Sequence, residues 1–242
     1  MTDLERVANT LRTARRVTAL TGAGVSAASG IPTFRGENGL WKNVRAETLA
    51  TPEAFENDPK LVWEWYDWRR QMIQTARPNA AHDVLARWTR ERSGFTTITQ
   101  NVDGLHEKAG TQRLIRLHGS IWHVRCWRAC AAGRRDWVDT TVPQPRLPPL
   151  CPHCGTIVRP GVVWFGEALN PEDVSAASGA TNCDVFLAIG TSAIVYPAAG
   201  LVHEAKRHGA MTIEINVDDT DASGRVDVAI KGKAEEILPA LM

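Results

Sequence analysis

Long apolar runs and a strong charge of either sign are both missing from this sequence. No stretch reaches the roughly 18 uninterrupted apolar residues of a membrane-spanning helix, and 28 basic against 27 acidic side chains leave a formal net charge of +1. The first residues, MTDLERVANTLRTARR, lack the apolar core of a secretion signal and the scarcity of acids of a transit peptide. We therefore expect a cytoplasmic protein with no membrane partner, and the overall charge does not favour nucleic acid.

The composition of a disordered chain is also absent. Of the 242 residues, 43% are hydrophobic and 23% are charged, which is an ordinary balance for a globular fold. The length exceeds the commonest domain size and suits one α/β core that carries a small inserted module. No pattern in the sequence specifies an oligomeric state.

A disulfide framework is disfavoured because the five cysteines are odd in number and no export signal precedes them. Four of them form two close pairs, Cys126-x3-Cys130 and Cys151-x2-Cys154. Four thiolates on two turns can converge into a tetrahedral zinc site, and such a closed ligand set leaves no position for a substrate water. We therefore predict one structural Zn²⁺.

The segment that carries these pairs, residues 120–160, has few apolar residues at regular spacing and five prolines between Pro143 and Pro152. We expect the metal, rather than a core of its own, to hold this segment. His153 lies inside the second cysteine pair and is an alternative ligand, whereas Cys183 is expected to be a small buried apolar side chain.

Strand patterns that alternate with helical patterns indicate an α/β fold with a Rossmann-like parallel sheet. An amphipathic helix is predicted over 2–14 and another over 198–208, whereas 30–90 contain no convincing strand and are interpreted as loop and helix. The predicted strands are 16–20, 95–99, 114–117, 184–189 and 211–215. We expect one catalytic domain, 1–242. Its Rossmann-like part covers about 1–35, 90–118 and 162–242, its helical excursion 36–89, and its zinc module 119–161.

A glycine pattern, Gly22-x-Gly24-x-x-Ala27, follows the first predicted strand. Glycines there let the backbone turn sharply and approach a pyrophosphate, although a simple tight turn explains the same pattern. Nicotinamide dehydrogenases of this fold carry an acidic residue about 20 residues further on, at the end of a second strand. The chain has Leu40-Trp-Lys-Asn43 at that place, so the pattern disfavours a hydride-transferring dehydrogenase.

Two polar motifs follow later strands, where α/β folds present ligand-binding side chains. Gln100-Asn101-Val-Asp103 comes after strand 95–99 and suits ribose hydroxyls or a carboxamide, and helix capping is the alternative role. His118 comes directly after strand 114–117. Its imidazole titrates near neutrality, which suits a general base for a hydroxyl, although an isolated histidine is more often structural.

Taken together, the motifs resemble the sirtuin family, and they occur in family order over nearly the whole chain. They are Gly22-Ala-Gly-Val-Ser-Ala-Ala-Ser-Gly-Ile-Pro-Thr-Phe-Arg35, Gln100–Asp103, His118-Gly-Ser, the two cysteine pairs, Val162-Val-Trp-Phe-Gly-Glu167, Gly190-Thr-Ser192 and Asn216. The resemblance implies an NAD-dependent protein lysine deacylase that consumes NAD as a co-substrate.

The resemblance also implies a role for each matching residue. The phosphates and ribose of NAD would be surrounded by Gly22, Ala23, Gly24, Phe34 and Arg35. The nicotinamide ribose and carboxamide would be held by Gln100, Asn101 and Asp103. The adenosine end would be lined by Gly190, Thr191, Ser192, Asn216 and Ala234. The substrate peptide would pair as an added strand with Val162, Val163, Phe165, Gly166 and Glu167.

The mechanism implied by the family begins when the acyl oxygen of the modified lysine attacks the nicotinamide ribose and expels nicotinamide. His118 then acts as general base on the ribose hydroxyls, and the products are free lysine and O-acyl-ADP-ribose. Mono-ADP-ribosyl transfer to protein is an alternative within the same chemistry. A non-catalytic zinc-ribbon binding module is another, because Arg125, Arg128, Arg134 and Arg135 make the ribbon basic.

Tyr66 and Arg69 lie three residues apart in the helical excursion and share one helix face. A phenol beside a guanidinium can bind a carboxylate, although a solvated arginine beside a core tyrosine has the same spacing. The pair resembles the one that marks the sirtuin subgroup acting on malonyl, succinyl and glutaryl lysine, and Ala46 resembles its small pocket-wall residue. We expect desuccinylase and demalonylase activity, with deacetylase activity as well, and Trp63, Trp65 and Trp68 as packing residues.

Overall fold

The computed structural model describes residues 1–33, 40–41, 44–131, 136–192 and 195–242. Two of the predicted NAD-binding residues, Phe34 and Arg35, lie outside these ranges, and so do Arg134 and Arg135 of the basic ribbon. In chain order the elements are α1 (Asp3–Thr13), β1 (Val17–Thr21), a 3₁₀ helix (Ala23–Ser29), β2 (Leu40–Trp41), β3 (Val44–Arg45), α2 (Ala46–Leu49), α3 (Pro52–Asn57), α4 (Pro59–Thr75), α5 (Ala80–Glu91), β4 (Phe95–Thr99), α6 (Leu105–Lys108), β5 (Leu114–Arg116), β6 (Gly119–Cys126), β7 (Trp137–Val138), β8 (Val158–Val162), α7 (Pro171–Ala180), β9 (Val185–Ile189), α8 (Ala198–Arg207), β10 (Met211–Asn216), β11 (Val228–Lys231) and α9 (Ala234–Ala240).

A six-stranded sheet forms the centre of the larger lobe. Its order is β11-β10-β9-β1-β4-β5, and every neighbouring pair is parallel. The predicted α/β fold with a Rossmann-like parallel sheet is confirmed. The strand order reverses between β1 and β9, and ligands of open α/β sheets bind at such a switch point, outside the carboxyl ends of the strands.

Both faces of this sheet are covered by helices. One apolar cluster joins the sheet to α1, α5 and α9, and includes Leu11, Leu85 and Leu238. The other joins it to α7 and α8, and includes Phe186 and Leu201. Every residue of β1 and β9 is buried, as expected for a parallel sheet that helices cover on both faces. The helices therefore hold the carboxyl ends of the strands in fixed positions.

The smaller lobe joins the helical excursion to the cysteine-bearing segment. The antiparallel strands β7-β6-β8 form one sheet, and the apolar side chains of β6 and β8 pack with α3 and α4 in one cluster that includes Phe55, Trp63 and Trp164. Trp63 of α4 also donates its indole N–H to the carbonyl of Val158 at 2.7 Å. The cysteine-bearing segment thus shares a core with the helical excursion.

One expectation for these regions needs correction. Residues 30–90 do contain strand, because β2 and β3 pair antiparallel over two residues each, which is too short for any alternating pattern to show. Segment 120–160 was expected to have no core of its own, and its strands contribute instead to the core that they share with the helical excursion. Among the residues that the structure describes, none of the helices has both the length and the apolar character needed to cross a membrane.

Candidate active site

Three glycines meet where the strand order reverses. Gly22 and Gly24 follow β1, and Gly190 follows β9 with a left-handed φ of 56°. A Cβ on Gly22 would lie 2.7 Å from the Gly190 carbonyl oxygen, and one on Gly24 would lie 2.8 Å from the Gly190 Cα. Only glycine fits at these close approaches. The two loops are therefore packed backbone to backbone, which is the arrangement that a dinucleotide-binding switch point requires.

The loop after β4 is tied to the glycine loop by side-chain amides. Asn101 donates from Nδ2 to the carbonyl of Gly22 at 3.0 Å, and Gln100 donates from Nε2 to Thr191 Oγ1 at 2.8 Å. Gln100 and Asn101 are half-buried. The structure thus brings the predicted ribose-binding residues beside the predicted phosphate-binding loop.

Asp103 lies in the same cluster and is held from two sides. Its Oδ2 accepts a hydrogen bond from Ser26 Oγ at 2.7 Å, and its Oδ1 accepts from the backbone N–H of Leu105 at 2.8 Å. Burial raises the pKa of Asp103, although these two hydrogen bonds act in the opposite direction. The Asp103 carboxylate is consequently an oriented hydrogen-bond acceptor behind the glycine loop.

His118 lies at the end of β5, next to the loop after β4. Its Nδ1 is 3.0 Å from the backbone carbonyl of Gln100. A carbonyl only accepts, so Nδ1 carries the proton and Nε2 holds the lone pair when the ring is neutral. Burial lowers the pKa of His118 below its usual value of 6.5, although the Gln100 carbonyl favours the protonated ring. The neutral imidazole therefore offers Nε2 as a base at neutral pH.

The adenosine-side residues lie along the carboxyl ends of β9 and β10. Asn216 donates from Nδ2 to the carbonyl of Thr191 at 2.9 Å, which joins the carboxyl end of β10 to the Gly190–Ser192 turn. Ala234 is the first residue of α9 and is buried. The structure places these predicted residues on the far side of the glycine cluster from His118, which lies next to β5 at the other end of the sheet.

Tyr66 and Arg69 lie side by side on α4, and both are buried. The Arg69 guanidinium carbon is 6.0 Å from the Tyr66 ring centroid and 5.0 Å from the Trp65 ring. Ala46 belongs to the same apolar cluster as Tyr66. Burial raises the pKa of Tyr66 to about 12, so the phenol keeps its proton. The solvated-arginine alternative is excluded, because Arg69 is only 8% exposed.

The other aromatic residues of α4 divide into two groups. Trp63 and Trp65 are 0% and 2% exposed and belong to the core, as predicted. Trp68 is 36% exposed and lies at the surface, so its packing is incomplete.

The segment after β8, predicted to pair with a substrate peptide, lies beside the candidate base. Val163 donates its N–H to the carbonyl of His118 at 3.0 Å, and Phe165 donates to the carbonyl of Ala50 at 2.9 Å. Phe165 is half exposed. The Glu167 carboxylate is occupied by Arg159 through two contacts of 2.5 and 2.8 Å, so Glu167 holds the segment in shape.

The four paired cysteines converge as predicted. Their sulfur atoms all lie within 4.8 Å of one another, with Cys126 Sγ 3.6 Å from Cys154 Sγ and Cys130 Sγ 3.8 Å from Cys151 Sγ. Four thiolates at this separation fit one tetrahedral Zn²⁺, a set that leaves no coordination position for a substrate. His153 is exposed and lies outside this group, and Cys183 is buried elsewhere at 5% exposure.

Two histidines that the motifs did not single out lie buried behind the site. His82 and His106 are 0% and 1% exposed, with ring centroids 5.0 Å apart. His106 Nε2 is 2.9 Å from Thr21 Oγ1 at the end of β1. Burial lowers the pKa of His82 to about 4, and burial together with His82 lowers the pKa of His106 to about 3.

This pair predicts a loss of stability in acid. In the unfolded chain both rings protonate near pH 6.5, whereas in the folded chain they stay neutral, so the unfolded state binds more protons as the pH falls. Between pH 7.5 and 5.0 each ring is expected to remove about 2 kcal/mol from the free energy of unfolding. Urea denaturation at both pH values measures the loss. His82→Gln is expected to flatten the slope, and an unchanged slope would contradict this account.

The glycine motif contained one further functional residue that sequence reasoning missed. Ser26 is completely buried and donates to Asp103 Oδ2, and it lies 3.3 Å from Asn101 Nδ2. A serine between Gly24 and Ala27 was its only signal, because its partners lie 75 and 77 residues away.

Comparison with known proteins gives a single result. A sequence profile of the Sir2 family matches residues 22–197. A protein of Aquifex aeolicus (strain VF5) named NAD-dependent protein deacylase is 51% identical over 219 residues, which are 90% of this chain and 90% of that protein. The crystal structure of a Sir2 homolog–NAD complex matches with a TM-score of 0.91 at 44% identity, over 98% of this chain and 91% of that one. A Sir2 variant with a deacetylated p53 peptide and 3'-O-acetyl ADP ribose matches at 0.89 and 29% identity, over 100% and 98%.

Proposed function

The chain belongs to the Sir2 family, the sirtuins, and is an NAD-dependent protein deacylase, and from this premise we propose that it removes acidic acyl groups, succinyl and malonyl, from lysine side chains. Acetyl groups are proposed as further substrates, and the cytoplasm as its location. The observation that carries the acyl preference is the buried pair of Tyr66 and Arg69 on α4.

NAD, when bound, supplies the ribose carbon that the acyl oxygen attacks as nicotinamide leaves, and the ADP-ribose then accepts the acyl group. The packed loops of Gly22, Gly24 and Gly190 fit it, because they bring backbone rather than side chains to the switch point. Gln100, Asn101 and Asp103 would hold the sugar and carboxamide. Phe34 and Arg35 are proposed to complete the phosphate site.

His118 supplies the base in this proposal. Its Nδ1–H is directed to the Gln100 carbonyl, so Nε2 accepts the proton from a ribose hydroxyl. His118 also accepts the N–H of Val163 at its backbone carbonyl. The base and the segment proposed to bind the peptide are thereby fixed relative to each other, which keeps the acyl-lysine and the imidazole in register.

Two properties of the acyl pocket favour an acidic acyl group, namely the positive charge of Arg69 and the exclusion of water by burial. Arg69 is buried, and an arginine keeps its positive charge in proteins even where burial lowers its pKa. An ionised carboxylate can accept charge-assisted hydrogen bonds from this guanidinium and a further hydrogen bond from the Tyr66 hydroxyl. An acetyl group provides neither contact, so we expect the pair to improve malonyl and succinyl binding selectively.

The test compares succinyl-lysine and acetyl-lysine peptides of one sequence. We expect Arg69→Met and Tyr66→Phe to lower kcat/KM for desuccinylation, by about 10- to 100-fold for Arg69→Met because it removes a charged hydrogen bond. Deacetylation is expected to change much less. Mass spectrometry with NAD measures the products, and Arg87→Met, which removes an exposed arginine of α5, is the matched control.

Removal of acetyl alone by the unaltered enzyme would reject the acidic pocket. Equal losses for both acyl groups in Arg69→Met would reject it as well, since that pattern indicates damage to the fold. Labelled protein without any acyl-ADP-ribose would indicate mono-ADP-ribosyl transfer instead.

A further inference from the structure

A hydrogen bond joins the acyl pocket to the segment that follows β8. Trp164 donates its indole N–H to the phenol oxygen of Tyr66 at 2.9 Å. Both side chains are nearly inaccessible, at 2% and 1% exposure. An indole N–H only donates, so the phenol oxygen is the acceptor in this contact.

The phenol hydroxyl is left with a proton to donate. Among the residues that the structure describes, none accepts a hydrogen bond from the Tyr66 O–H. A buried hydroxyl without an acceptor is costly, which favours a ligand that supplies one. Because the indole N–H lies on one side of the oxygen, the O–H must point away from it, and the oxygen has little remaining capacity to accept.

Trp164 is held by two contacts to its ring and by one hydrogen bond from its backbone. The Arg159 guanidinium lies 3.5 Å from the centroid of the Trp164 ring, and the Phe55 ring is 5.2 Å away. The backbone N–H of Trp164 donates to Glu167 Oε2 at 2.8 Å, the oxygen that also accepts from Arg159 at 2.8 Å. The Arg159–Glu167 ion pair therefore holds the Trp164 indole in place, and the indole in turn orients the Tyr66 hydroxyl.

We propose that Trp164 is a specificity-determining positioning residue, which occupies an acceptor position of the Tyr66 oxygen and directs the Tyr66 O–H toward the carboxylate of the acyl group. This inference rests on the proposed acidic-acyl activity. An ionised carboxylate only accepts, and matches a site whose two polar groups only donate. An acyl group that ends in a primary amide brings N–H donors, for which the Tyr66 oxygen has little remaining capacity to accept.

The first experiment is a double-mutant cycle on the zinc-loaded enzyme. Trp164→Phe keeps an aromatic ring for Arg159 but removes the N–H. We expect it to lower the ratio of kcat/KM for succinyl over acetyl peptide about three- to tenfold, the range for one hydrogen bond. In the Tyr66→Phe background the same change is expected to alter the ratio less than twofold, because the bond is already gone.

Two other outcomes would overturn the proposal. One is an equal loss on both peptides, which a merely structural role for the indole produces. The other is a full additional loss in the Tyr66→Phe background. If the unaltered enzyme shows no desuccinylation, the proposed function fails first. If Arg69→Met and Tyr66→Phe lose the succinyl preference while Trp164→Phe keeps it, only the role of Trp164 fails.

A second measurement does not depend on the folding of Trp164→Phe. Indole N–H groups give separate signals in a ¹⁵N-correlated NMR spectrum, and we expect one indole signal to shift both on Tyr66→Phe and on binding of succinyl peptide with NAD. Acetyl peptide is expected to shift it much less. The absence of any signal that responds to both changes would overturn the proposal.

Discussion

Replacing His118 with alanine is expected to lower kcat for acyl transfer by about 10²–10⁴-fold, the usual contribution of a positioned general base. The Gln100 carbonyl, 3.0 Å from Nδ1, fixes the tautomer that presents a lone pair at Nε2. A methyl group has no proton acceptor. Mass spectrometry of O-acyl-ADP-ribose, formed from succinyl and acetyl peptides with NAD, measures the loss for both acyl groups.

We expect the loss of activity in His118→Ala to occur at the acyl-transfer step rather than at the release of nicotinamide. In the proposed mechanism, expulsion of nicotinamide precedes the proton transfer to His118, so exchange of labelled nicotinamide into NAD is expected to fall less than product formation. His203→Ala on α8 is the matched control, since it removes an imidazole away from the site. Product formation within tenfold of the unaltered enzyme would contradict the assignment of His118 as base.

The pH profile provides an independent check on the same residue. Burial lowers the pKa of His118, and the proposed base acts as the neutral ring. The acid limb of kcat/KM is therefore expected to have its midpoint below pH 6.5. A midpoint above 6.5 would indicate a different titrating group.

The sequence predicted the parallel sheet well because its inner strands are short runs rich in β-branched and apolar residues, some of which end at polar motifs. The predicted strand 95–99 coincides with β4, and Thr99 leads directly into Gln100. The edge strand β11 was not predicted, since Val228–Lys231 is a four-residue run with half of its residues outside the core. The strands β6 and β8 were also missed, because charged residues and a proline, Pro160, interrupt their apolar pattern.

Side-chain contacts between distant parts of the chain were beyond sequence reasoning. Trp164 and Tyr66 are 98 residues apart and join the two halves of the smaller lobe. The spacing of Tyr66 and Arg69 also fitted a solvated arginine beside a core tyrosine, and the burial of Arg69 excludes that alternative without testing the acyl preference. The cysteine spacing was more informative, because four sulfur ligands have few ways to converge other than on a metal.

Removing zinc is expected to destabilise the smaller lobe and, through it, the acyl pocket. Cys126 and Cys151 are buried in the same cluster as Trp63 and Tyr66, and Cys126 pairs in the sheet with Val158. Val158 in turn accepts the indole N–H of Trp63 on α4. Without the metal, nothing bonds the four sulfur atoms, which lie within 4.8 Å of one another, into one unit. Loss of the metal should therefore destabilise the cysteine-bearing strands first and, through their contacts, the helix α4 that carries Tyr66 and Arg69.

We expect one zinc per chain by elemental analysis, and a fall in Tm of at least about 10 °C after chelation, because structural zinc contributes several kcal/mol or more to folding. Cys126→Ser is expected to lose both the metal and the deacylase activity. Cys183→Ser, which changes the buried cysteine outside the cluster, is expected to retain the metal. A chelated protein that melts at the unaltered temperature and stays active would show that the shared core, rather than the metal, holds the lobe together.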